Sequence, residues 1–264
     1  DFPIIFCDEC SMYIKISKLD YNNINKTIEE MPISLKKLCM DNNHLMSIPK
    51  TITKLIELKE LNISNNEIEI IPTEIFNLIN LETLKINCNI ISNIPTEITK
   101  LINLRVLSIY TNSIKTIPIE ISKLSKLEEL NVCVNSIKIL PKEICNLKNL
   151  TILNLHSNEI NSLPTEIGNL LNLKELFLND NQIKKIPIEI TNLSNLKKLH
   201  LYNNQISLLP TKIGYLNKLE KLNLRNNNIT KIPITVGSLI ELKKLYLSNN
   251  KINILPKKIC NLIN

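Results

Sequence analysis

The sequence contains very little glycine: three glycines in 264 residues, with no tryptophan and no alanine. Phosphate-binding loops of the G-x-G-x-x-G and P-loop types need several closely spaced glycines, so this scarcity excludes both. The zinc-protease motif H-E-x-x-H is also absent, and His44, His156 and His200 lie far apart with no nucleophile beside them. We therefore expect no catalytic site, no metal site and no cofactor.

Membrane and secretion signals are missing as well. No apolar run approaches the roughly 18 to 20 residues that a membrane-spanning helix needs. Residues 1–13 contain acidic residues and lack the basic start of a signal peptide. The seven cysteines are scattered rather than paired in terminal caps, which is typical of a reducing compartment. These features predict an intracellular, cytoplasmic location. Cys7 and Cys10 form a lone C-x-x-C, whose spacing favours a loose cap over redox or zinc chemistry.

What the sequence does contain is a repeat. Ten copies of a 23-residue unit fill the chain from Leu35 to Asn264 without an insertion or deletion. If the first leucine of a copy is offset 0, then offsets 0, 3, 5, 10, 13, 17 and 20 carry Leu, Ile, Val or Met in every copy. A fixed period of this length indicates stacked supersecondary units. Each such side chain contributes ~1.5–3 kcal/mol when buried, so we expect all 70 to face one shared core.

Two patterns within the repeat predict its local structure. Offsets 2 to 6 alternate between polar and apolar residues, as in residues 60–64, which is the signature of a half-buried strand. Offset 8 is asparagine in every copy, from Asn43 to Asn250. A buried amide needs hydrogen-bond partners, and the backbone of the bending loops in successive repeats can supply them. We therefore predict a ladder of structural asparagines.

The second half of the repeat predicts a short helical segment. Offset 14 is proline in every copy, and proline suits the first helical position because its missing N–H would be unsatisfied there. Glutamate at offset 16 in six copies places a carboxylate in the first turn, where it complements the helix dipole. This explanation is favoured over an acidic docking strip. Strands inside and short helices or 3₁₀ turns outside predict an α/β solenoid, a horseshoe with a parallel sheet on its concave face.

The repeat has the sequence pattern L-x-x-L-x-L-x-x-N-x-I-x-x-I-P-x-E-I-x-x-L, which resembles leucine-rich repeats. It most resembles the 23-residue intracellular class found in Ras-associated scaffolds, plant intracellular Ras-group proteins and the Scribble–Erbin group. The resemblance covers residues 35–264 and implies protein–protein interaction. A GTPase or a phosphatase as partner is implied by the resemblance alone.

The ends of the chain differ from the repeats. We divide the sequence into residues 1–34, an N-terminal cap with a degenerate first repeat, and residues 35–264, the ten regular repeats. Phe2 and Phe6 are among the apolar residues that could cover the first repeat. No capping segment follows the tenth repeat, which favours a native chain that continues beyond Asn264.

Aromatic and basic side chains concentrate at the strand offsets 2, 4, 6 and 7, which point outward on the concave face. Such residues are the usual hot spots of protein interfaces, although aromatics also favour strands for structural reasons. The predicted partner-binding residues are Tyr110, His156, Phe177, His200, Tyr202, Arg225 and Tyr246.

Charge is distributed unevenly along the chain. Residues 196–264 hold 12 lysines and arginines against two glutamates, a net charge of +10, whereas residues 1–195 have a net charge of −3. Such a field attracts acidic partners, although it also serves solubility. We expect a non-catalytic module that binds an acidic protein surface near the C-terminal repeats. The alternatives are binding of nucleic acid or another anionic surface by the basic end, and service as the recognition region of a longer signalling or ubiquitin-ligase protein.

Overall fold

The computed structural model describes residues 4–8, 11–15 and 21–262, with side chains for residues 24–260. The chain divides into two compact units, residues 1–130 and 131–264, here called the N-terminal and C-terminal units. Each is described by itself. Cys10 and the side chain of Cys7 lie outside the described residues, so their interpretation as part of a loose cap stays a prediction.

The N-terminal unit begins with a hairpin and continues as a parallel ladder. Strand β1 pairs antiparallel with β2, which pairs parallel with β3, and each later pair advances by one repeat, so that Leu38, Leu61, Leu84 and Leu107 lie side by side. The elements are β1 (Ile4–Asp8), β2 (Ser11–Lys15), α1 (Tyr21–Glu30), β3 (Lys37–Cys39), β4 (Glu60–Asn62), β5 (Thr83–Lys85) and β6 (Val106–Ser108). Strand β7 (Glu129–Asn131) follows.

The C-terminal unit has the same parallel arrangement. Its strands again pair in register one repeat apart, so that Leu153, Leu176, Leu199, Leu222 and Leu245 are neighbours. They are β8 (Ile152–Asn154), β9 (Glu175–Phe177), β10 (Lys198–His200), β11 (Lys221–Asn223) and β12 (Lys244–Tyr246). The predicted parallel strands of an α/β solenoid are therefore confirmed within each unit.

The strands are shorter than predicted, with three residues instead of five. The reason lies at offset 7, where the backbone turns into the left-handed region with φ between 51° and 57° in every repeat. This bend ends the extended segment. Asparagine and aspartate adopt such a φ more readily than other residues, and they occupy six of the ten positions. The ten are Asn42, Asn65, Cys88, Thr111, Val134, Ser157, Asp180, Asn203, Asn226 and Asn249.

Apolar side chains form the interior of both units. The seven predicted core offsets are buried in each of the first nine repeats, with at most 8% of any side chain exposed. The tenth repeat departs from the prediction: Leu245 and Leu247 are half-buried and Leu255 is 49% exposed. No further repeat among the described residues packs against them, so the same sequence pattern gives less burial there.

The predicted asparagine ladder is confirmed. In the C-terminal unit, the Nδ2 of Asn181 donates to the carbonyl oxygens of Leu155, Leu178 and Asn179 at 3.0–3.1 Å, and its Oδ1 accepts from the backbone N–H of Ile160 at 2.9 Å. Two of these partners belong to the preceding repeat and two to its own. The amide therefore satisfies buried backbone groups of two loops at once.

A short 3₁₀ turn follows the proline in every repeat. The prolines lie one residue before the turn, with φ between −72° and −60° and an extended ψ, in eight of these turns, so the predicted first helical position was wrong by one residue. The turns are Lys50–Lys54, Thr73–Asn77, Thr96–Lys100 and Ile119–Lys123 in the N-terminal unit. Those of the C-terminal unit are Lys142–Asn146, Thr165–Asn169, Ile188–Asn192, Ile213–Tyr215, Ile234–Ser238 and Lys257–Leu262.

The glutamate of these turns lies in the first turn of the six segments that contain it, as predicted. These residues are Glu74, Glu97, Glu120, Glu143, Glu166 and Glu189. For Glu74 and Glu166, a hydrogen bond from the residue's own backbone N–H is the main cause that lowers the carboxyl pKa. Because this hydrogen bond lies within the turn itself, it supports the explanation that the glutamate at offset 16 stabilises the start of the turn.

Removal of one ladder amide tests its structural role. Asn181→Ala leaves one N–H and three carbonyl oxygens without their side-chain partner, so we expect a loss of about 2–4 kcal/mol in the free energy of unfolding. Urea denaturation followed by circular dichroism measures this loss. The control is Gln182→Ala, which removes the adjacent exposed amide and should leave stability within about 0.5 kcal/mol. Equal stability of the two variants would contradict the assignment.

The left-handed bend predicts a stabilising substitution. Val134 has a φ of 52°, which is strained for a β-branched residue, and its side chain is 41% exposed. Val134→Asn should relieve this strain and raise the free energy of unfolding by about 1 kcal/mol. Val134→Ile keeps the β-branch and serves as the control, with no gain expected. An unchanged or lower stability of the asparagine variant would show that the bend carries no strain.

Candidate interaction surface on the strand face

The outward face of the strands, formed by offsets 2, 4, 6 and 7 and here called the strand face, carries a cluster of rings in the C-terminal unit. Phe177 and His200 end the adjacent strands β9 and β10 and are partners in the sheet register. Their ring centroids are 5.0 Å apart at an interplanar angle of 71°, an edge-to-face contact. The ring centroid of Tyr202 lies 6.3 Å from that of His200. The parallel register therefore brings three of the predicted residues together.

The rings of this cluster are half-buried and pack against one another. The sequence predicts exposed side chains at these offsets, but each ring is only half-exposed because a neighbouring ring covers part of it. The cluster of Phe177, His200 and Tyr202 is thus a preformed apolar patch, whose rings have lost part of their rotational freedom before any partner arrives.

Burial and nearby charge keep His200 neutral at pH 7. Burial is the main cause that lowers its pKa to about 4, followed by the positive charges of Lys221 and Lys198, while Glu175 acts in the opposite direction. The Nε2 atom is buried without a hydrogen-bond partner among the described residues. Because the pKa is lower in the folded state than the usual 6.5, the unfolded state binds the proton more tightly. Acidification from about pH 6.5 to pH 4 therefore destabilises the fold through this group.

Tyr246 and Arg225 belong to the next two repeats. Tyr246 ends β12, is 37% exposed, and has the Nζ of Lys221 at 5.9 Å from its ring centroid, a cation–π distance. Arg225 is exposed just after β11. With His200 and Tyr202, Arg225 and Lys221 line a shallow depression of about 440 Å³. Three of the predicted residues therefore line the depression, and a fourth, Tyr246, contacts the lysine that lines it.

The two remaining predicted residues are His156 and Tyr110. His156 is half-buried, its Nδ1 lies 3.0 Å from the Oγ of Ser157, and burial lowers its pKa while Asp180 opposes the shift. Tyr110 belongs to the N-terminal unit, where it is half-buried and its backbone N–H donates to the Oδ1 of Asn87. His156 shares no ring contact with Phe177, His200 or Tyr202 among the described residues.

Ion pairs reduce the positive field that the sequence predicts. Lys198 pairs with Glu175 at 2.8 Å, while Lys197 and Lys243 share Glu220 at 3.2 and 2.8 Å. The hydrogen bond from Lys243 is the main cause that lowers the pKa of the Glu220 carboxyl.

Three cations of the same surface are left over: Lys221, Arg225 and Lys244 form no ion pair with any residue that the structure describes. On the strand face of the C-terminal unit, the cations without an ion pair among the described residues therefore lie on β11, the loop after it and β12.

The structure reveals a second ladder that sequence reasoning missed. At offset 7, Asn249 donates to Asn226 at 2.6 Å, Asn226 donates to Asn203 at 2.5 Å, and Asn203 donates to Asp180 at 2.5 Å, all through side chains. The recurrence of Asn and Asp at one offset of successive repeats was the available signal. These amides border the strand face beside Arg225.

The described residues contain no group of three or more His, Cys, Asp or Glu side chains placed to hold a metal ion. No helix among them is long and apolar enough to cross a membrane.

A family model for the leucine-rich repeat region matches residues 33–138, 92–188, 129–223 and 188–264, which together cover most of the sequence. The chain belongs to the leucine-rich-repeat family. Among curated proteins, none matches this leucine-rich-repeat chain significantly.

Solved structures of other leucine-rich-repeat proteins resemble the chain. A leucine-rich-repeat protein of Leptospira interrogans is 39% identical, with a TM-score of 0.85 over 94% of this chain. The Arabidopsis receptor kinase HAESA, solved with the peptide hormone IDA and the co-receptor SERK1, is 27% identical, with a TM-score of 0.83 over 98% of this chain. The chain spans 62% and 46% of the lengths of these two proteins. An internalin of Listeria monocytogenes is 22% identical over 97% of this chain and 85% of its own, with a TM-score of 0.70, and shows the shared fold.

The state of His200 in this leucine-rich-repeat chain is directly measurable, because the sequence holds only three histidines. We expect the imidazole signals of His200 to titrate with a pKa of about 4 in ¹H–¹³C NMR spectra. Phe177→Ala should uncover the ring and raise this pKa toward 6.5, since burial is the main cause of the shift. The signals of His44, in the N-terminal unit, should not respond to the substitution. A wild-type His200 that already titrates near 6.5 would contradict the packing of the cluster.

Proposed function

We propose that the chain is a non-catalytic protein–protein interaction module that binds an acidic surface of a partner protein on the strand face of its C-terminal unit. Phe177 and Tyr202 would supply the apolar centre of the contact, and Arg225 and Tyr246 would flank it. The observation that carries the proposal is the preformed ring cluster beside Lys221, Arg225 and Lys244, which form no ion pair within the described part of the chain. Aromatic residues and arginine are enriched among interface hot spots. His156 and Tyr110 are peripheral in this proposal.

Charge supports an acidic partner. Lys221, Lys244 and Arg225 would meet carboxylates of the partner at the rim of the contact, where charge mainly raises the association rate. The glutamates of the surface already pair with Lys197, Lys198 and Lys243, so they offer little repulsion. The solved complex of HAESA with a peptide hormone and a co-receptor provides a precedent for protein ligands in this family.

The partner class and the cellular setting are proposals of the same kind. The 23-residue repeat resembles that of Ras-associated scaffolds and the Scribble–Erbin group, so small GTPases and phosphatases are the first partners to test. Cys88, Cys145 and Cys260 form no disulfide with any residue that the structure describes, which agrees with a reducing intracellular setting. Burial raises the pKa of Cys145 to about 12, so that thiol is unreactive. The module would act as a scaffold or as the recognition region of a longer signalling or ubiquitin-ligase protein.

Affinity capture from nuclease-treated lysate of the source cells tests the proposal. Wild-type protein should retain a specific partner, and Phe177→Ala/Tyr202→Ala should reduce its recovery at least about tenfold, as expected for the loss of hot spots of about 2 kcal/mol. Mass spectrometry identifies the partner and quantifies the recovery. Urea denaturation checks that the double variant is folded.

The matched control is Tyr215→Ala. Tyr215 is an aromatic residue of the same unit, 58% exposed, and it lies in a 3₁₀ turn away from the strand face. Its replacement should leave capture unchanged. Recovery that is equal for the double variant and the control would exclude the ring cluster as the binding site. Capture that is lost on nuclease treatment and falls steeply with salt would instead favour binding of nucleic acid by the same basic end.

A further inference from the structure

The depression beside the ring cluster is lined by hydrogen-bond donors and by no acidic side chain. Lys221 and Arg225 face it with the amides of Asn203 and Asn226, in addition to His200 and Tyr202 and the amide of Asn223. Its volume is about 440 Å³, enough for one side chain but small for a folded element. We call it the Lys221–Arg225 pocket.

Nearby carboxylates are already engaged elsewhere. Glu175 pairs with Lys198, and Glu220 pairs with Lys197 and Lys243. Asp180 accepts from the amides of Asn203 and Asn179 at 2.5 and 2.7 Å, so both of its carboxylate oxygens are in use. Consequently Lys221 and Arg225 have no carboxylate counter-charge among the described residues, in contrast to Lys197, Lys198 and Lys243.

The amide ladder fixes the polarity of the pocket wall. The Oδ1 atoms of Asn203 and Asn226 each accept from the next amide in the ladder, which engages one lone pair of each oxygen and fixes the orientation of the amide. Each amide nitrogen has two N–H groups, and the ladder uses one of them. The wall therefore offers N–H groups to an incoming acceptor.

We propose that the Lys221–Arg225 pocket binds a single oxyanion, a carboxylate or a phosphate monoester, on a side chain of the partner protein. The guanidinium of Arg225 is suited to bind two oxygens of such a group side by side, and Lys221 adds a point charge. This inference rests on the proposed function and deepens it, because it assigns one pocket and one chemical group to the acidic partner.

The test uses small oxyanions as probes on the full chain. Inorganic phosphate, sulfate and acetate are titrated against chloride at equal ionic strength, and binding is followed by the ¹H–¹⁵N signals of Asn203 and Asn226 and the imidazole signals of His200. Phosphate or sulfate should give saturable shifts that chloride does not give. A bound anion should also raise the pKa of His200, because it offsets the positive charge of Lys221, which lowers that pKa.

Neutral variants locate the site. Lys221→Gln and Arg225→Gln should each weaken the apparent affinity for the oxyanion at least about tenfold, as expected for loss of a charge-assisted hydrogen bond. Lys244→Gln is the matched control, since Lys244 is another cation of the strand face that pairs with no described carboxylate, and it does not line the pocket. Shifts that do not saturate, or that weaken equally in all three variants, would overturn the proposal.

The same titrations distinguish a phosphate monoester from a carboxylate as the group that the partner supplies. Phosphate and sulfate binding at least about tenfold tighter than acetate indicates a phosphorylated partner, and comparable affinities indicate an aspartate or glutamate, with either result supporting the pocket. Failure of the pocket is distinguishable from failure of the proposed function. A partner that depends on Phe177 and Tyr202 but tolerates Lys221→Gln and Arg225→Gln would remove the pocket and leave the function standing. Oxyanion binding without any such partner would do the reverse.

Discussion

In the C-terminal unit, the buried asparagine at offset 8 holds a repeat to the one before it, and the arrangement of the strand face depends on that connection. Asn181 binds carbonyl oxygens of its own loop and of the preceding loop, and it accepts the N–H of Ile160 from that preceding repeat. A repeat that shifted by one residue would lose all of these bonds and would turn its core leucines outward. The amide therefore fixes the register in which strand positions such as Phe177 and His200 become neighbours.

That register determines how the strand face balances apolar contact and charge. Side chains at one offset lie directly beside their counterparts in the next repeat, so Lys198, Lys221 and Lys244 form one column. Like charges in adjacent positions repel one another. Glu175 relieves the repulsion at Lys198, whereas Lys221 lies near the ring of Tyr246 and finds no carboxylate among the described residues. The unpaired positive charge of this column therefore depends on which offsets carry glutamate. It lies on Lys221 of β11 and Lys244 of β12.

The features that depend on local periodicity were predictable from the sequence. The buried offsets, the parallel strands, the asparagine ladder and the glutamates of the 3₁₀ turns each follow from a residue type that recurs every 23 positions. Side-chain pairings were not predictable, because they depend on rotamers across two repeats. Examples are the edge contact of Phe177 with His200 and the ion pair of Lys198 with Glu175. The shorter strands could have been inferred from Asn203 and its counterparts, since asparagine favours the left-handed region that ends a strand. The exposure of Leu255 could not, because it depends on what packs next to it.

Because the ladder contacts recur every 23 residues, such chains can change length by whole repeats. The partners of Asn181 recur for Asn204 and Asn227 with every residue number raised by 23 or 46, and at nearly the same distances. Deletion or duplication of one whole repeat would thus rejoin equivalent atoms on both sides of the cut. A change of one or two residues would instead misalign every contact at the junction. Recombination within the coding sequence can therefore lengthen or shorten the strand face in steps of about 4.8 Å, the distance between neighbouring strands, without disturbing the repeats that remain.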